Sequence, residues 1–244
     1  MDEVLKAHNV SAGYCGHRIV EGVDLLLRKG DVLGLLGANG SGKSTLIKAL
    51  TGQIRLLDGG VEISGIDLAS RPEQAKAGLG LAVEPSDLPD GLTGRQYFEL
   101  VASIRDCPPD GWPLPAILER LRIEDGLDRL ISACSLGTRA KIGIAAALLG
   151  APPLLIFDES LNGLDPVAAW EAKSIMTELA ATRRHAILVS THVVETVPTL
   201  CTRALLLSEG RLAQTWTASD LTHLPPAAFE KSVMQLLKRQ SATA

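Results

Sequence analysis

A chain of 244 residues, 46% hydrophobic and 21% charged, has the profile of a globular protein and excludes a disordered one. It is long enough for one large domain or two closely packed lobes, with a core that needs neither disulfides nor a structural metal. The balance of 24 basic against 28 acidic residues, net −4, excludes a general nucleic-acid binder, whose partner's phosphates call for a basic face.

Met1-Asp2-Glu3 is acidic and lacks the basic-then-apolar pattern of a leader segment. Segments 4–10 and 19–27 tend to alternate apolar and polar residues, which predicts an antiparallel layer at one side. Continuous apolar runs at 32–36, 79–83, 154–157, 186–189 and 204–207 are four or five residues long. Such runs suit strands buried on both faces of a mainly parallel sheet. Aromatics make up only 3%, so Leu, Ile, Val and Ala are expected to build the core.

Residues 85–150 read differently. Helical periodicity at 96–105 and 115–121 is divided by Cys107-Pro108-Pro109-Asp110-Gly111-Trp112-Pro113, with no strong strand signal. The predicted fold class is therefore α/β, a mainly parallel sheet with an N-terminal antiparallel layer and an inserted helical subdomain. The longest apolar stretch, 142–157, is shorter than the roughly 18–20 residues that span a bilayer, and Pro152 and Pro153 interrupt it. Near the end, Phe229, Val233, Leu236 and Leu237 share one helical face between Pro225-Pro226 and Lys238-Arg239, a face expected to pack on its own domain. Cys15, Cys107, Cys134 and Cys201 form no CxxC pair and are expected to be free thiols in a reducing cytosol.

Gly37-Ala38-Asn39-Gly40-Ser41-Gly42-Lys43-Ser44 fits GxxxxGK[ST], with a predicted strand before it and a helical stretch from Thr45 after it. Glycines in such a loop let backbone N–H groups converge on an anion at a helix N-terminus. Lys43 would then reach the β and γ phosphates, and the Ser44 hydroxyl would coordinate Mg²⁺. Leu154-Leu155-Ile156-Phe157-Asp158-Glu159 feeds two carboxylates from a strand. Asp158 at the strand end can hold Mg²⁺, and Glu159 can orient or deprotonate the attacking water. Up to this point the chemistry is that of a P-loop NTPase.

Further segments, in order, resemble the ABC ATPase family. Tyr14 matches the aromatic that stacks on adenine there. Ser135 and Gly137, in Cys134-Ser135-Leu136-Gly137-Thr138, stand in the place of the family signature, which faces the γ-phosphate held by a second subunit. Ser135 also reads as the cap of a helix over 137–149, whose positive end suits an anion. Asp165, in Asn162-Gly163-Leu164-Asp165, matches the loop that crosses the dimer interface, and His192 matches the histidine on the γ-phosphate. The resemblance runs from about residue 4 to about residue 212. It departs from the family at three points: Glu84 replaces a metal-linked Gln, only Ser135 and Gly137 of the signature survive, and Ser160-Leu161 replaces Pro-Thr.

What the resemblance implies is a RecA-like ATP-binding core over 1–84 and 151–215, a helical signature subdomain over 85–150 and a helical tail over 216–244. It implies ATP bound by Tyr14, Gly37, Asn39, Gly40, Ser41, Gly42, Lys43, Ser44 and Thr45, and Mg²⁺ held by Ser44, Asp158 and Glu84. Catalysis is expected from Glu159, His192 and Lys43. The expected partners are a second copy or a paralogous subunit and a transmembrane permease, with the chain cytoplasmic and peripheral on the inner face of the membrane. Exporters fit the Ser-x-Gly signature better than importers. Two alternatives stay open here: an ABC ATPase not coupled to transport, and a weakly hydrolysing, ATP-binding regulatory subunit.

Overall fold

The computed structural model describes residues 2–108 and 114–241, so most of the expected break, from Pro109 to Pro113, lies outside the described residues. Along the chain, β1 (Glu3–Tyr14) and β2 (His17–Arg28) form a long hairpin, β3 (Val32–Leu36) leads into the phosphate loop, and α1 (Lys43–Leu50) leaves it. Next come β4 (Leu56–Ile63), β5 (Ile66–Asp67), α2 (Pro72–Ala77) and β6 (Leu79–Ala82). The helices α3 (Gly94–Arg105), α4 (Leu114–Leu121) and α5 (Leu136–Leu148) precede β7 (Leu154–Asp158). After α6 (Pro166–Ala181) come β8 (Ala186–Thr191), α7 (Val197–Leu200), β9 (Arg203–Ser208) and β10 (Arg211–Trp216), then α8 (Ala218–His223) and α9 (Pro226–Ser241).

Two sheets form. The first, in the order β2-β1-β4-β5, is antiparallel throughout, as the alternating N-terminal segments predict. In the second, ordered β10-β9-β3-β8-β7-β6, the five strands from β9 to β6 are parallel and β10 returns antiparallel along one edge. Every residue of β3 is buried, which is why its apolar run does not alternate. Register then fixes the site, because Leu36 lies opposite Thr191 and Asp158 opposite Ser190. The loops leaving β3, β7 and β8 consequently emerge at one edge, where open α/β sheets bind their ligands.

One buried cluster lies between the antiparallel sheet, α1 and one face of the six-stranded sheet, with Leu5, Leu27, Leu46 and Ile156 in it. The other covers the opposite face and draws in Phe98, Ile117, Ile142 and Met176 from α3 to α6. Between β6 and β7, the described residues form only helices, short 3₁₀ turns and one isolated bridge, Thr93 to Leu130. Arg105, at the end of α3, donates to the carbonyls of Ala146, Ala147 and Leu149 at 3.1, 3.0 and 2.7 Å. Those carbonyls lie at the end of α5, where the last turn lacks intrahelical donors, so one guanidinium caps a helix and joins two.

The tail packs as its periodicity predicts. Phe229 is fully buried and meets Trp216 edge-on, ring centres 5.1 Å apart. Trp216 itself ends β10, paired with Ala204, so the last strand of the sheet reaches one residue past 215.

The strand β4 is not among the strands expected from the sequence, because Asp58-Gly59-Gly60 interrupts its apolar pattern. It pairs with β1 across an irregularity between His8 and Ser11. Gly59 there has φ +84°, and a Cβ on it would meet the His8 and Asn9 carbonyls. The glycine serves a bulge, a role visible only once the partner strand is in place.

Candidate functional site

The phosphate loop is built from both ends. Gly42, at φ +104°, is the N-cap of α1 and offers no side-chain cap, so the first N–H groups of α1 point out unclaimed by a side chain. This is the geometry that receives an anion. A Cβ on Gly37 would strike Ser41 Oγ and the Leu207 carbonyl, so the loop sits tight against the end of β9. The Ser41 carbonyl accepts from Gly210 N at 3.1 Å, and the Gly210 carbonyl accepts from Glu21 N at 2.9 Å. Ser41 Oγ is buried and has no hydrogen-bond partner within the protein.

A pocket of about 540 Å³ opens over this loop. Asn39, Gly40, Gly42, Lys43, Ser44 and Thr45 line it, and Glu84, Glu159 and His192 close it from the other strand ends. Gly37, Ser41 and Asp158 are tied to that lining without forming part of it. Sequence reasoning gave no site role to Ile19 or Asn162, which also line the pocket. Tyr14 sits at the tip of the β1–β2 hairpin opposite His17, 42% exposed and outside the lining.

Lys43 is buried and folded inward. Its Nζ donates to the Gly37 and Ala38 carbonyls at 2.8 and 3.3 Å and lies 3.6 Å from Glu159 Oε1. Glu159 has φ +48°, a left-handed conformation unusual outside glycine, and is held from several sides. Its N–H donates to Ser190 Oγ at 3.0 Å. Its Oε2 lies 3.1 Å from the donating Asn162 Nδ2 and 2.9 Å from His192 Nδ1, which carries the proton because a carboxylate only accepts. Ser190 Oγ in turn donates to Asp158 Oδ1 at 2.6 Å, so one buried hydroxyl grips both acidic residues. The available sequence signal for Ser190 is a polar residue interrupting an apolar strand just before the histidine.

Burial pushes the Asp158 carboxyl above its ordinary range, and the charges of Glu159 and Glu84 push it further, against the lowering effect of the Ser190 hydrogen bond and Lys43. A cation beside these acids would relieve that cost. Ser44, Asp158 and Glu84 offer oxygen donors, the chemistry Mg²⁺ takes. Among the described residues no group of three or more His, Cys, Asp or Glu side chains could hold a metal by itself. That suits Mg²⁺ sites completed by water and substrate phosphates, so the residues present fit the ion.

The raised carboxyl also has a stability consequence. The folded chain binds a proton at Asp158 more readily than the unfolded chain does, so stability rises as pH falls through the range just above 3.8. Asp158→Asn keeps an acceptor for Ser190 and removes the buried charge. At pH 7, without nucleotide, it is expected to raise the thermal midpoint by about 1–3 °C. The excess should shrink as pH falls toward 4 and vanish by about pH 3 in scanning calorimetry, and an equal excess at pH 7 and pH 3 would refute the assignment.

Ser135, Gly137 and Asp165 gather outside the pocket lining. Ser135 is the N-cap of α5 and accepts from Thr138 N at 3.2 Å. A Cβ on Gly137 would lie 2.9 Å from the Gly163 carbonyl. Asp165 caps α6, accepting from Val167 N and Ala168 N at 3.0 and 2.9 Å, with Lys141 Nζ 3.7 Å away.

A phosphate loop between β3 and α1, with an acidic pair at the end of β7, a parallel strand separated from β3 by β8 alone, defines a P-loop nucleotide-binding domain. A family model described as ABC transporter matches residues 20–162, and the chain belongs to that family as its ATP-binding domain. An uncharacterized ABC transporter ATP-binding protein of Bacillus subtilis (strain 168) is 33% identical over 195 residues, covering 80% of this chain. The match spans 63% of that relative's own length. The lipopolysaccharide export system ATP-binding protein LptB of Haemophilus influenzae is 30% identical over 223 residues, covering 89% of this chain and 92% of its own length. A solved ATP-binding subunit of an ABC transporter superposes with a TM-score of 0.85 at 29% identity, covering 95% of this chain and 99% of the other. Among the described residues no helix is long and apolar enough to cross a membrane.

Proposed function

We propose that this chain is the ATP-hydrolysing subunit of a membrane transporter, an export system, working as a dimer beneath a permease. The observation that carries the hydrolytic part is the Lys43–Glu159–His192 cluster, in which a carboxylate, an ammonium and an imidazole converge on the phosphate loop. Lys43 binds the β and γ phosphates, the loop from Gly37 to Thr45 cradles them, and Tyr14 takes the adenine. Ser44 and Asp158, with Glu84 beside them, would hold Mg²⁺, which neutralises charge on the phosphates when bound. Glu159 accepts the proton of a water aimed at the γ-phosphate, and His192 steadies both. Water oxygen bonds to phosphorus, the bond to the ADP oxygen breaks, and ADP and phosphate leave.

The second half of the reading concerns assembly. Ser135, Gly137 and Asp165 lie outside the pocket lining of their own chain, which supports their serving the γ-phosphate and interface of a second copy or a paralogue. The core is taken as 1–84 and 151–215, the coupling lobe as 85–150 and the tail as 216–244. Export is supported by the Ser-x-Gly signature and by a relative named for lipopolysaccharide export. The permease partner places the chain at the inner face of the membrane. Affinity isolation of the native complex is expected to recover a polytopic membrane protein. Recovery of soluble partners alone, with the membrane fraction fully solubilised, would sink the transporter reading in favour of an ABC ATPase that works without a membrane.

A further inference from the structure

The geometry points to Asn162 as a positioning residue that fixes which oxygen of Glu159 acts on water. The inference rests on the reading of Glu159 as the base. A carboxylate has two oxygens, each able to accept about two hydrogen bonds. Oε2 is filled from two directions, by Asn162 Nδ2 at 3.1 Å and His192 Nδ1 at 2.9 Å. Oε1 is left facing Lys43 Nζ at 3.6 Å, on the side of the phosphate loop. Oε1 is therefore the oxygen that takes the water proton, while Oε2 is the anchor.

Asn162 suits the anchoring task better than His192 alone. The His192 side chain is 52% exposed, whereas the Glu159 carboxylate it meets is 12% exposed. Asn162 stands three residues beyond Glu159, and its own N–H donates to the Glu159 carbonyl at 3.1 Å. Main chain and side chain of Asn162 thus close a compact turn on the same residue. The Ser190 hydroxyl secures the other side by accepting from Glu159 N. Glu159 is fixed through its backbone by Ser190 and through its carboxylate by Asn162, in a left-handed conformation that needs such support. Without Asn162, Oε2 keeps only the exposed imidazole, and rotation of the carboxylate carries Oε1 away from the water.

The test is steady-state ATP hydrolysis in Mg²⁺ by the full chain, in five variants. Misplacement of a reacting group by about 1 Å lowers rate by up to about a hundredfold. Asn162→Ala is expected to lower kcat about 10- to 100-fold, with KM for ATP within about threefold of wild type. Asn162→Asp matches asparagine in size but cannot donate, and is expected to lose as much or more. That variant keeps the test sound if the alanine variant folds poorly. Asn162→Gln retains the donor and is expected to recover at least part of the lost kcat. In an E159Q background, adding N162A should leave the residual rate unchanged within about twofold, because the group it positions is gone. Wild-type kcat in N162A and N162D, a rise in KM with kcat intact, or the same fold-loss in the E159Q background would each overturn the proposal. Undiminished hydrolysis by E159Q alone would instead refute the base reading itself, and this proposal with it.

Discussion

Glu159→Gln is expected to lower ATP hydrolysis by at least about a hundredfold while leaving ATP bound. General base catalysis accounts for roughly 10²–10⁴ in rate, and the amide cannot accept a proton from water. The substitution changes little else. Gln keeps one oxygen to accept from Asn162 and His192, and its N–H can still donate to Ser190. It also removes a negative charge facing the triphosphate. The variant should therefore accumulate ATP and, if Ser135 and Asp165 complete the site of a second copy, migrate as a dimer with ATP and as a monomer without it. Size-exclusion chromatography with multi-angle scattering reads the mass, and a charcoal or thin-layer assay reads the nucleotide retained. Hydrolysis at the wild-type rate would remove Glu159 from its role, and an ATP-loaded monomer would remove the second copy.

Lys43→Ala is the second large effect. Lys43 is the buried cation of the pocket, 6% exposed at its side chain, and the Gly37 and Ala38 carbonyls already aim it along the loop. Truncating one member of a buried charged pair costs about 2–5 kcal/mol, because the other charge is left unpaired. ATP affinity is accordingly expected to fall at least about a hundredfold, some 2.7 kcal/mol. Wild-type protein at a hundredfold excess of ATP over Kd should gain about 2.7 kcal/mol of stability. For a chain of this size that raises the thermal midpoint by about 5–10 °C. The variant should show no such rise at the same concentration. Lys43→Arg is not expected to restore it, since the planar guanidinium does not fit a space shaped for a point charge between two carbonyls. A full ATP-dependent rise in the alanine variant would show that the loop binds phosphate without its lysine.

The legible parts of this molecule are those whose cause is local. The run over 32–36 and the eight residues after it carry strand, turn and helix start in one stretch, so both fold and phosphate loop could be read there. Asp158 and Glu159 announce themselves at the end of an apolar run for the same reason. The roles of Ser190 and Asn162 are less local. Ser190 matters because register puts it opposite Asp158, thirty-two residues away in sequence, and no periodicity encodes that pairing. Asn162 stood inside a motif read for Asp165, and its own task depends on the left-handed turn at Glu159. β4 was hidden because a bulge glycine and a turn glycine look alike until the opposing strand is known.

The close seating of the phosphate loop bears on when it can form. Gly37 rests against the Leu207 carbonyl, Ser41 is bonded to Gly210, and Gly210 leans on the carbonyl of Ile19. Three stretches about 190 residues apart at the extreme, Ile19 to Gly210, must meet before the loop has its shape, and closing such a span is among the slow steps of folding. A chain emerging from the ribosome carries the loop's letters early, yet cannot grip a nucleotide well until the β9–β10 turn has followed it out. The loop thus takes its final shape only after a segment about 170 residues downstream, from Gly37 to Leu207, has been made.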